Sequence, residues 1–210
     1  MNFDALVFDL DGTLWDVTEA CAAGWNDSLR SLGIAKTVTV DDIRRVVGKP
    51  TPVCIELLLP EETEYHQKIL ELLGNFEEAA IKQQGGKFYG SLPETLETLS
   101  GHYDLYLVSN CQRWYLDLFF ELSGVRRFFK GSDCFGNSRR NKTKMLQNLK
   151  QEHGFIKPAY VGDTDLDEES AQKAGYVFIH AAYGFGRAKT PDLVIHSLKE
   201  LTVLTKTPVK

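Results

Sequence analysis

The sequence predicts an α/β fold: a parallel sheet with helices on both faces, interrupted by one all-helical insertion. Short apolar runs recur along the chain, and each is followed by polar residues. Amphipathic helical patterns separate these runs. Strands that alternate with helices of this length are typical of a parallel sheet covered on both faces. A longer helical stretch behind the first run breaks the alternation and predicts the insertion.

The first predicted strand is the run Ala5–Phe8, which leads into Asp9-Leu10-Asp11-Gly12-Thr13. A continuous apolar run is typical of a strand that is buried on both faces. Four later segments have the same character: Leu105–Val108, Phe128-Phe129 leading to Asp133-Cys134-Phe135, Ala159–Val161 and Val177–Ile179.

Helical patterns lie between these strands, and three of them end at a glycine. Glycine is a helix stop signal because it accepts the left-handed backbone conformation there. The apolar positions are Leu92, Leu96 and Leu99; Tyr115, Leu118, Phe119 and Leu122 before Gly124; Met145, Leu146 and Leu149 before Gly154; and Ala171 and Ala174 before Gly175.

Residues 17–86 contain helical patterns and no convincing strand. We therefore predict two units: residues 1–16 and 87–210 form the sheet-bearing core, and residues 17–86 form a helical cap. Thr39 and Asp42 have the spacing of a capping-box variant. The predicted apolar faces are Val17, Cys21, Trp25, Leu29 and Leu32 on the first helix, and Tyr65, Ile69, Leu72, Phe76 and Ala79 on the last.

Composition limits the classes of partner. The chain has 210 residues, a formal charge of −5 and four cysteines without a C-x-x-C pair, which disfavours a zinc site or a disulfide framework. It has neither a signal-peptide pattern at Met1–Asp4 nor an apolar run of roughly 18 residues, so we expect a cytoplasmic protein with no membrane partner. The basic cluster at 139–144 is too short for nucleic acid. A small soluble metabolite is the expected partner, and a monomer or homodimer the expected state.

Polar side chains follow three of the predicted strands. Because ligands of parallel sheets bind beyond the carboxyl ends of the strands, these side chains are expected to form one site. They are Asp9, Asp11 and Thr13 after the first strand, Ser109 and Asn110 after the second, and Asp163, Thr164 and Asp167 after the fourth, with Lys142 at the start of a helix.

This set suits phosphoryl transfer. Mg²⁺ prefers oxygen ligands, which Asp9 and Asp163 supply. The hydroxyl of Ser109 or Thr13, the Asn110 amide and the Lys142 ammonium are suited to hold phosphoryl oxygens as charge builds on them. Two carboxylates two positions apart, Asp9 and Asp11, can divide the work of nucleophile and proton carrier.

Each cluster also has a plainer interpretation. An Asp-x-Asp-Gly segment is commonly a solvated turn, and Ser109-Asn110 or Thr164 could only cap a helix. Lys142 alone could be a surface lysine. Three such clusters, each directly behind a buried strand of one sheet, are better explained as one site.

These motifs resemble those of the haloacid dehalogenase-like hydrolase superfamily. Val7 to Leu14 matches its first motif, Val108-Ser109-Asn110 its second, Lys142 its third and Val161 to Asp167 its fourth, in the same order. The resemblance covers nearly the whole chain and is closest to the phosphoglycolate phosphatase-like branch, including Phe88-Tyr89-Gly90 and Ala182-Tyr183-Gly184-Phe185-Gly186. It implies a Rossmann-like core with a helical cap.

The resemblance also implies roles for the site residues. Asp9 would be the nucleophile that forms an aspartyl-phosphate, and Asp11 the general acid and base. Mg²⁺ would bind the Asp9 carboxylate, the Asp11 main-chain carbonyl and Asp163, with Asp167 supporting this shell. Thr13, Ser109 and Asn110 would contact the phosphoryl group, and Lys142 would neutralise charge. The substrate would be a small phosphomonoester, either phosphoglycolate-like or a sugar phosphate.

Two departures from the branch pattern leave questions open. Thr143 follows Lys142 where the branch often has proline, so Lys144 remains a lesser candidate for the motif lysine. Val17 follows Asp16 where the branch often has Ser or Thr. Because this position belongs to the flap that faces the substrate, the departure weakens the prediction of the substrate more than the prediction of the reaction. Arg45, Lys49, Trp15 and Trp25 are the predicted substrate contacts around the cap.

Four alternatives remain. A sugar-phosphate mutase of the β-phosphoglucomutase type would keep the same core. A phosphonate-cleaving relative would use a cap lysine as a Schiff base, for which Lys49 is the candidate. A phospho-receiver domain would carry its acceptor after the third strand, which disfavours Asp9 in that role. A silent phosphate-binding module would need neither Asp9 nor Asp11.

Overall fold

The computed structural model describes residues 3–204 and contains a six-stranded parallel sheet. Its strands are β1 Ala5–Phe8, β4 Asp104–Ser109, β5 Phe129–Cys134, β6 Ala159–Gly162, β7 Val177–Ala181 and β8 Leu193–Ile195, in the order β5-β4-β1-β6-β7-β8. β1 lies at the centre, and its last residue, Phe8, pairs with Leu107 of β4 and Val161 of β6. The carboxyl ends of these three strands are therefore neighbours, as predicted.

Helices cover both faces of this sheet, which confirms the predicted fold class. They are α5 Leu92–Ser100, α6 Arg113–Ser123, α7 Phe135–Ser138, α8 Lys142–His153, α9 Asp165–Ala174 and α10 Leu201–Leu204. Alternate residues of β1 pack into different apolar clusters: Leu6 and Phe8 on one face, Ala5 and Val7 on the other. This alternation explains why the whole run is apolar.

Between the first strand and the rest of the sheet the described chain is helical, with α1 Thr18–Ser31, α2 Val40–Val46, α3 Thr51–Leu58 and α4 His66–Gln84. The chain leaves and re-enters the core through a two-stranded antiparallel ribbon, β2 Trp15–Asp16 with β3 Lys87–Phe88. The capping box of α2 is confirmed, because the Thr39 side chain accepts from the Asp42 N–H and the Asp42 carboxylate accepts from the Thr39 N–H. The 17–86 division itself remains a prediction, and residues 1–2 and 205–210 of the predicted core lie outside the described residues.

Helices α1 and α4 approach closely at Gly24. A Cβ atom at Gly24 would lie 2.7 Å from the Cα of Glu77 and 2.9 Å from the carbonyl oxygen of Phe76, so only glycine allows this contact. The close approach orients α4, whose buried residues are Ile69, Leu73, Ala80 and Ile81. Of the predicted apolar face, Ile69 is buried and Tyr65 packs partly buried against the core, Leu72 and Phe76 are half-buried, and only Ala79 is exposed.

Three short strands were not predicted: β2, β3 and β8. β2 and β3 have only two residues each, and β8 has three residues at the sheet edge, with Val194 exposed. Segments of this length carry too little periodicity to be recognised. Within residues 3–204, no helix combines the length and the apolar character that a membrane crossing requires.

Candidate active site

Three carboxylates and one ammonium group meet at the carboxyl edge of the sheet. Asp9 follows β1, Asp163 follows β6, Asp167 lies in the first turn of α9, and Lys142 opens α8. One oxygen from each aspartate lies within 4.8 Å of the others. The Lys142 Nζ atom lies 3.0 Å from Asp9 Oδ1 and 2.5 Å from Asp167 Oδ1. All four residues are buried, so the site concentrates charge in a region of low dielectric constant.

Asp163 is held by backbone groups from two loops. Its Oδ2 atom accepts hydrogen bonds from the N–H of Phe185 at 2.7 Å and of Gly186 at 3.2 Å. The loop behind β1 touches the same oxygen, because a Cβ at Gly12 would lie 2.3 Å from Asp163 Oδ2. Gly12 also has a φ of +74°, which glycine accepts without strain. Glycine at this position thus lets Asp9 and Asp163 share one site.

Asp167 plays a different part from Asp9 and Asp163. Its Oδ2 atom accepts from the N–H of Thr164 at 3.0 Å and from the Thr164 hydroxyl at 2.6 Å, while Oδ1 accepts from Lys142. Both oxygens are therefore engaged by protein groups. Thr164 does cap α9, as the plainer interpretation expected, and the cap fixes the acid that orients Lys142.

Burial and mutual repulsion disfavour three ionised acids in this space. Burial raises the pKa of Asp9 well above its usual range, and the neighbouring aspartates add to this while Lys142 opposes it. Burial and Asp167 raise the pKa of Asp163 to about 7, against two backbone hydrogen bonds that lower it. Burial alone would lower the pKa of Lys142, but Asp167 and Asp9 hold it well above its usual value. The site therefore carries an excess of negative charge that a cation would relieve.

The donor set fits a hard divalent cation. Asp9 Oδ2 and Asp163 Oδ1 are buried and accept no hydrogen bond from the described residues, while Asp9 Oδ1 contacts the Lys142 ammonium group. Unpartnered buried carboxylate oxygens are costly unless a ligand or ion completes them. Carboxylate oxygens without nitrogen or sulfur ligands favour Mg²⁺ over zinc or copper. Asp9 and Asp163 would hold the ion.

The side chain of Asp11 points away from this acid cluster. Its Oδ1 atom accepts from the Tyr115 hydroxyl at 2.5 Å and from Trp15 Nε1 at 3.2 Å. Burial raises the pKa of Asp11 to about 6, although both hydrogen bonds lower it. Tyr115 and Trp15 were not predicted as hydrogen-bond donors to Asp11. Trp15 lies only four positions after Asp11 in the sequence, but no local pattern pointed to Tyr115 on α6.

The predicted phosphoryl contacts lie beside the carboxylates. Ser109 is the last residue of β4, and its hydroxyl accepts from the Cys111 N–H at 3.4 Å. Thr13 is fully buried, and its hydroxyl has no hydrogen-bond partner among the described residues. The Asn110 amide donates a 2.9 Å hydrogen bond to the carbonyl oxygen of Gly48, which lies between α2 and α3. The helical segment is therefore closed onto the core at the site.

A cavity of about 80 Å³ lies between the helical segment and the site. Its lining includes Asp11, Ser109 and Asn110 from the core and Trp25, Lys49 and Glu77 from the helices. Two of the predicted cap contacts, Trp25 and Lys49, thus line the cavity. The structure places the other two elsewhere: Trp15 is fully buried beside Asp11, and Arg45 lies in a second, open cavity and pairs with Asp42 on its own helix.

The two candidate lysines differ sharply in environment. Lys142 is 4% exposed and contacts Asp9 and Asp167, whereas Lys144 is exposed on the first turn of α8. Asn141 caps this helix by accepting from the Lys144 N–H, which orients the turn. Lys142 is therefore the lysine that reaches the site.

Comparison with known proteins gives a consistent result. A family model described as "Haloacid dehalogenase-like hydrolase" matches residues 6–181. Among curated relatives, a phosphoglycolate phosphatase of Aquifex aeolicus is 28% identical over 212 residues, covering 95% of each chain. A phosphoglycolate phosphatase of Rhodobacter capsulatus is also 28% identical, over 93% of this chain and 91% of the relative.

Solved structures share the fold. A haloacid dehalogenase-like family hydrolase from Streptococcus pneumoniae superposes with a TM-score of 0.85 at 21% identity, covering 96% of this chain and 98% of the other. A predicted phosphoglycolate phosphatase from Haemophilus somnus gives a TM-score of 0.85 at 18% identity, covering 98% and 99% of the two chains.

Proposed function

Because the chain belongs to the haloacid dehalogenase-like hydrolase family, we propose that it is a Mg²⁺-dependent phosphatase that hydrolyses a small phosphomonoester through an aspartyl-phosphate on Asp9. The observation that carries the proposal is the buried set of Asp9, Asp163, Asp167 and Lys142, in which Asp9 Oδ2 and Asp163 Oδ1 accept no hydrogen bond from the described residues. A carboxylate that only stabilised the fold would be expected to have such partners.

In the first half-reaction, a carboxylate oxygen of Asp9 attacks phosphorus and the bond from phosphorus to the substrate oxygen breaks. Asp11 gives its proton to that leaving oxygen, so an alcohol departs. The raised pKa of Asp11, about 6, keeps a fraction of this group protonated near neutral pH. Ser109, Asn110 and Thr13 hold the phosphoryl oxygens.

In the second half-reaction, water attacks the aspartyl-phosphate and Asp11 takes a proton from it. The bond from phosphorus to Asp9 breaks, and inorganic phosphate leaves. Lys142 contacts Asp9 and balances its charge when the carboxylate is restored. Asp167 acts through Lys142 as a positioning residue, since it holds the ammonium group at 2.5 Å.

Mg²⁺, when bound by Asp9 and Asp163 with the main-chain carbonyl of Asp11, would neutralise phosphoryl charge and let two anions approach each other. We further propose that residues 17–86 act as a cap that excludes water from the reacting groups. The hydrogen bond from Asn110 to Gly48 supports this role, because it joins a phosphoryl contact to the helical segment.

The names of the curated relatives favour phosphoglycolate as one substrate, and a sugar phosphate is the other candidate. We expect a water-soluble metabolite in the cytoplasm and a monomeric or homodimeric enzyme. The test is a panel of phosphorylated metabolites and one aryl phosphate at fixed Mg²⁺, with inorganic phosphate as the readout. Multiple turnover is expected with at least one compound. If none of the compounds released inorganic phosphate, the proposal would be overturned.

The same panel separates the remaining alternatives. A mutase would require a bisphosphate activator and return an isomer in place of inorganic phosphate. A phosphonate-cleaving enzyme would condense Lys49, which lines the cavity, with the carbonyl group of an added phosphonoaldehyde and release water, and borohydride would reduce and trap the resulting imine. A receiver domain would be phosphorylated once, and a silent module would bind phosphate reversibly, in both cases without turnover. Membership of a hydrolase family disfavours both.

A further inference from the structure

We propose that Glu77 determines substrate specificity: its carboxyl group accepts a hydrogen bond from the leaving group, so the preferred substrates are phosphomonoesters whose alcohol carries a hydroxyl or ammonium group and not a carboxylate. This inference rests on the proposed phosphatase function and refines its substrate class. It disfavours phosphoglycolate itself as the preferred substrate.

Glu77 lines the same cavity as three residues that the proposed mechanism assigns to the substrate. The residues that would act on the phosphoryl group and on the leaving oxygen, Ser109, Asn110 and Asp11, line its core side. Glu77 on α4 and Trp25 on α1 line its opposite side. A substrate with its phosphorus at Asp9 and its leaving oxygen at Asp11 would therefore extend its alcohol portion toward the helices.

Glu77 is held in a fixed position. Trp25 Nε1 donates to Glu77 Oε1 at 3.0 Å. The backbone beside it is fixed as well, because Gly24 on α1 allows direct contact with the Cα of Glu77. A carboxyl group fixed between two packed helices keeps its rotamer, so a substrate that hydrogen-bonds to it loses little further entropy in the protein.

The charges around the cavity favour a donor-bearing substrate. Within residues 3–204, Glu77 takes part in no ion pair. Among the described residues that line the cavity, Asp11 is the other acid and Lys49 is the only lysine or arginine. Lys49 also lines the second cavity, so it lies where the two cavities meet.

The environment of Glu77 acts in the same direction. Burial raises its pKa to about 8, against hydrogen bonds from Trp25 and Cys21 that lower it. The carboxyl group is therefore largely protonated near pH 7. A substrate ammonium group supplies the donor that favours its ionised form, and a hydroxyl group can donate to its oxygen in either form. A substrate carboxylate would instead bring a further negative charge beside Asp11 into the same desolvated region.

The test compares three substrates of nearly equal size: 2-hydroxyethyl phosphate, phosphoethanolamine and 2-phosphoglycolate. For the unmodified protein we expect kcat/KM for one of the first two to exceed that for 2-phosphoglycolate by at least about tenfold, the ratio that corresponds to about 1.4 kcal/mol. In E77Q that ratio is expected to fall by about tenfold, because the amide cannot ionise beside a substrate donor but keeps an oxygen for Trp25. The matched control is E71Q, the same change at an exposed position of α4, which is expected to leave the ratio unchanged.

The outcomes are distinguishable. A preference of the unmodified protein for 2-phosphoglycolate, or an E77Q ratio equal to that of the unmodified protein, would overturn the role of Glu77 and leave the phosphatase proposal standing. Absence of turnover on all three compounds and on p-nitrophenyl phosphate would overturn the proposed function and this inference with it. The comparison in the unmodified protein needs no variant, so it does not depend on the folding of E77Q.

Discussion

The hydroxyl of Tyr115 donates a 2.5 Å hydrogen bond to Oδ1 of Asp11, across 104 positions of sequence. Both side chains are buried, and Trp15 donates to the same oxygen. The contact ties α6 to the loop behind β1 and fixes the carboxyl group that would serve the leaving oxygen. It also sets the protonation of that group, because hydrogen bonds to a carboxylate favour its ionised form.

Removal of the tyrosine hydroxyl should therefore shift the pH dependence of catalysis. The pKa of Asp11 is about 6, and the Tyr115 hydrogen bond lowers it, so Y115F should raise it. The first step needs protonated Asp11. For an alkyl phosphate, the midpoint of the limb on which kcat/KM falls with increasing pH should therefore move to higher pH by about one unit. The control is Y176F, which removes a buried hydroxyl contact to Leu146. An unshifted limb in Y115F would argue against Asp11 as the acid.

The nucleophile is tested by D9N. The amide is nearly isosteric with the carboxylate but is a poor nucleophile, so turnover of p-nitrophenyl phosphate should fall by at least about a thousandfold, or about 4 kcal/mol in the barrier. Circular dichroism and a melting curve should show a folded protein. If D9N kept more than about a thousandth of the rate, the covalent mechanism would be wrong.

Metal binding should be measurable without turnover. Asp9 Oδ2 and Asp163 Oδ1 are buried and accept no hydrogen bond from the described residues, so Mg²⁺ should bind the folded form and raise its melting temperature. At a concentration of about 100 times Kd the added stability would be about 2.7 kcal/mol. EDTA should reverse the shift and abolish activity, and D163N should remove most of the shift. An equal shift in D163N would place the ion elsewhere.

Lys142 should also contribute strongly to stability in the absence of metal. K142M leaves Asp9 and Asp167 buried without their cation, which for broken buried pairs costs about 3–5 kcal/mol. Urea unfolding in EDTA measures this loss. The matched control is K144M, whose side chain is exposed two positions away and should change stability by less than about 0.5 kcal/mol. Equal unfolding midpoints for the two variants would contradict the ion-pair geometry.

Glu77 should make stability depend on pH. Its pKa is raised from 4.5 to about 8 in the folded protein, so the folded form binds more protons than the unfolded form between these values. The contribution of Glu77 to the free energy of unfolding is therefore fully present below about pH 4.5 and is lost as the pH rises through about 8. Each unit of difference between the folded and unfolded pKa corresponds to about 1.4 kcal/mol. Relative to E77Q, the unmodified protein should lose stability over this range. Parallel stability curves for the two proteins would contradict the desolvation of the Glu77 carboxyl group.

Local sequence patterns identified most of the core and its catalytic edge. The unbroken apolar run at β1 predicted a central strand, and the polar residues directly behind β1, β4 and β6 predicted where Asp9, Ser109 and Asp163 would meet. Those predictions needed only the period of the side chains and the geometry of parallel sheets. The choice between Lys142 and Lys144 did not follow from sequence, because both stand on the same helical turn.

The sequence by itself thus determined the fold class, the order of the site motifs and the chemistry that the site favours. The tertiary structure decided which lysine reaches Asp9, which hydroxyl bonds Asp11 and which acid faces the leaving group. Tyr115 lies 104 positions from Asp11, and Glu77 lies 52 positions from Trp25. Contacts across such separations depend on how whole helices pack, as at Gly24, and that packing reflects the free energy of the entire core, which no short stretch of sequence encodes.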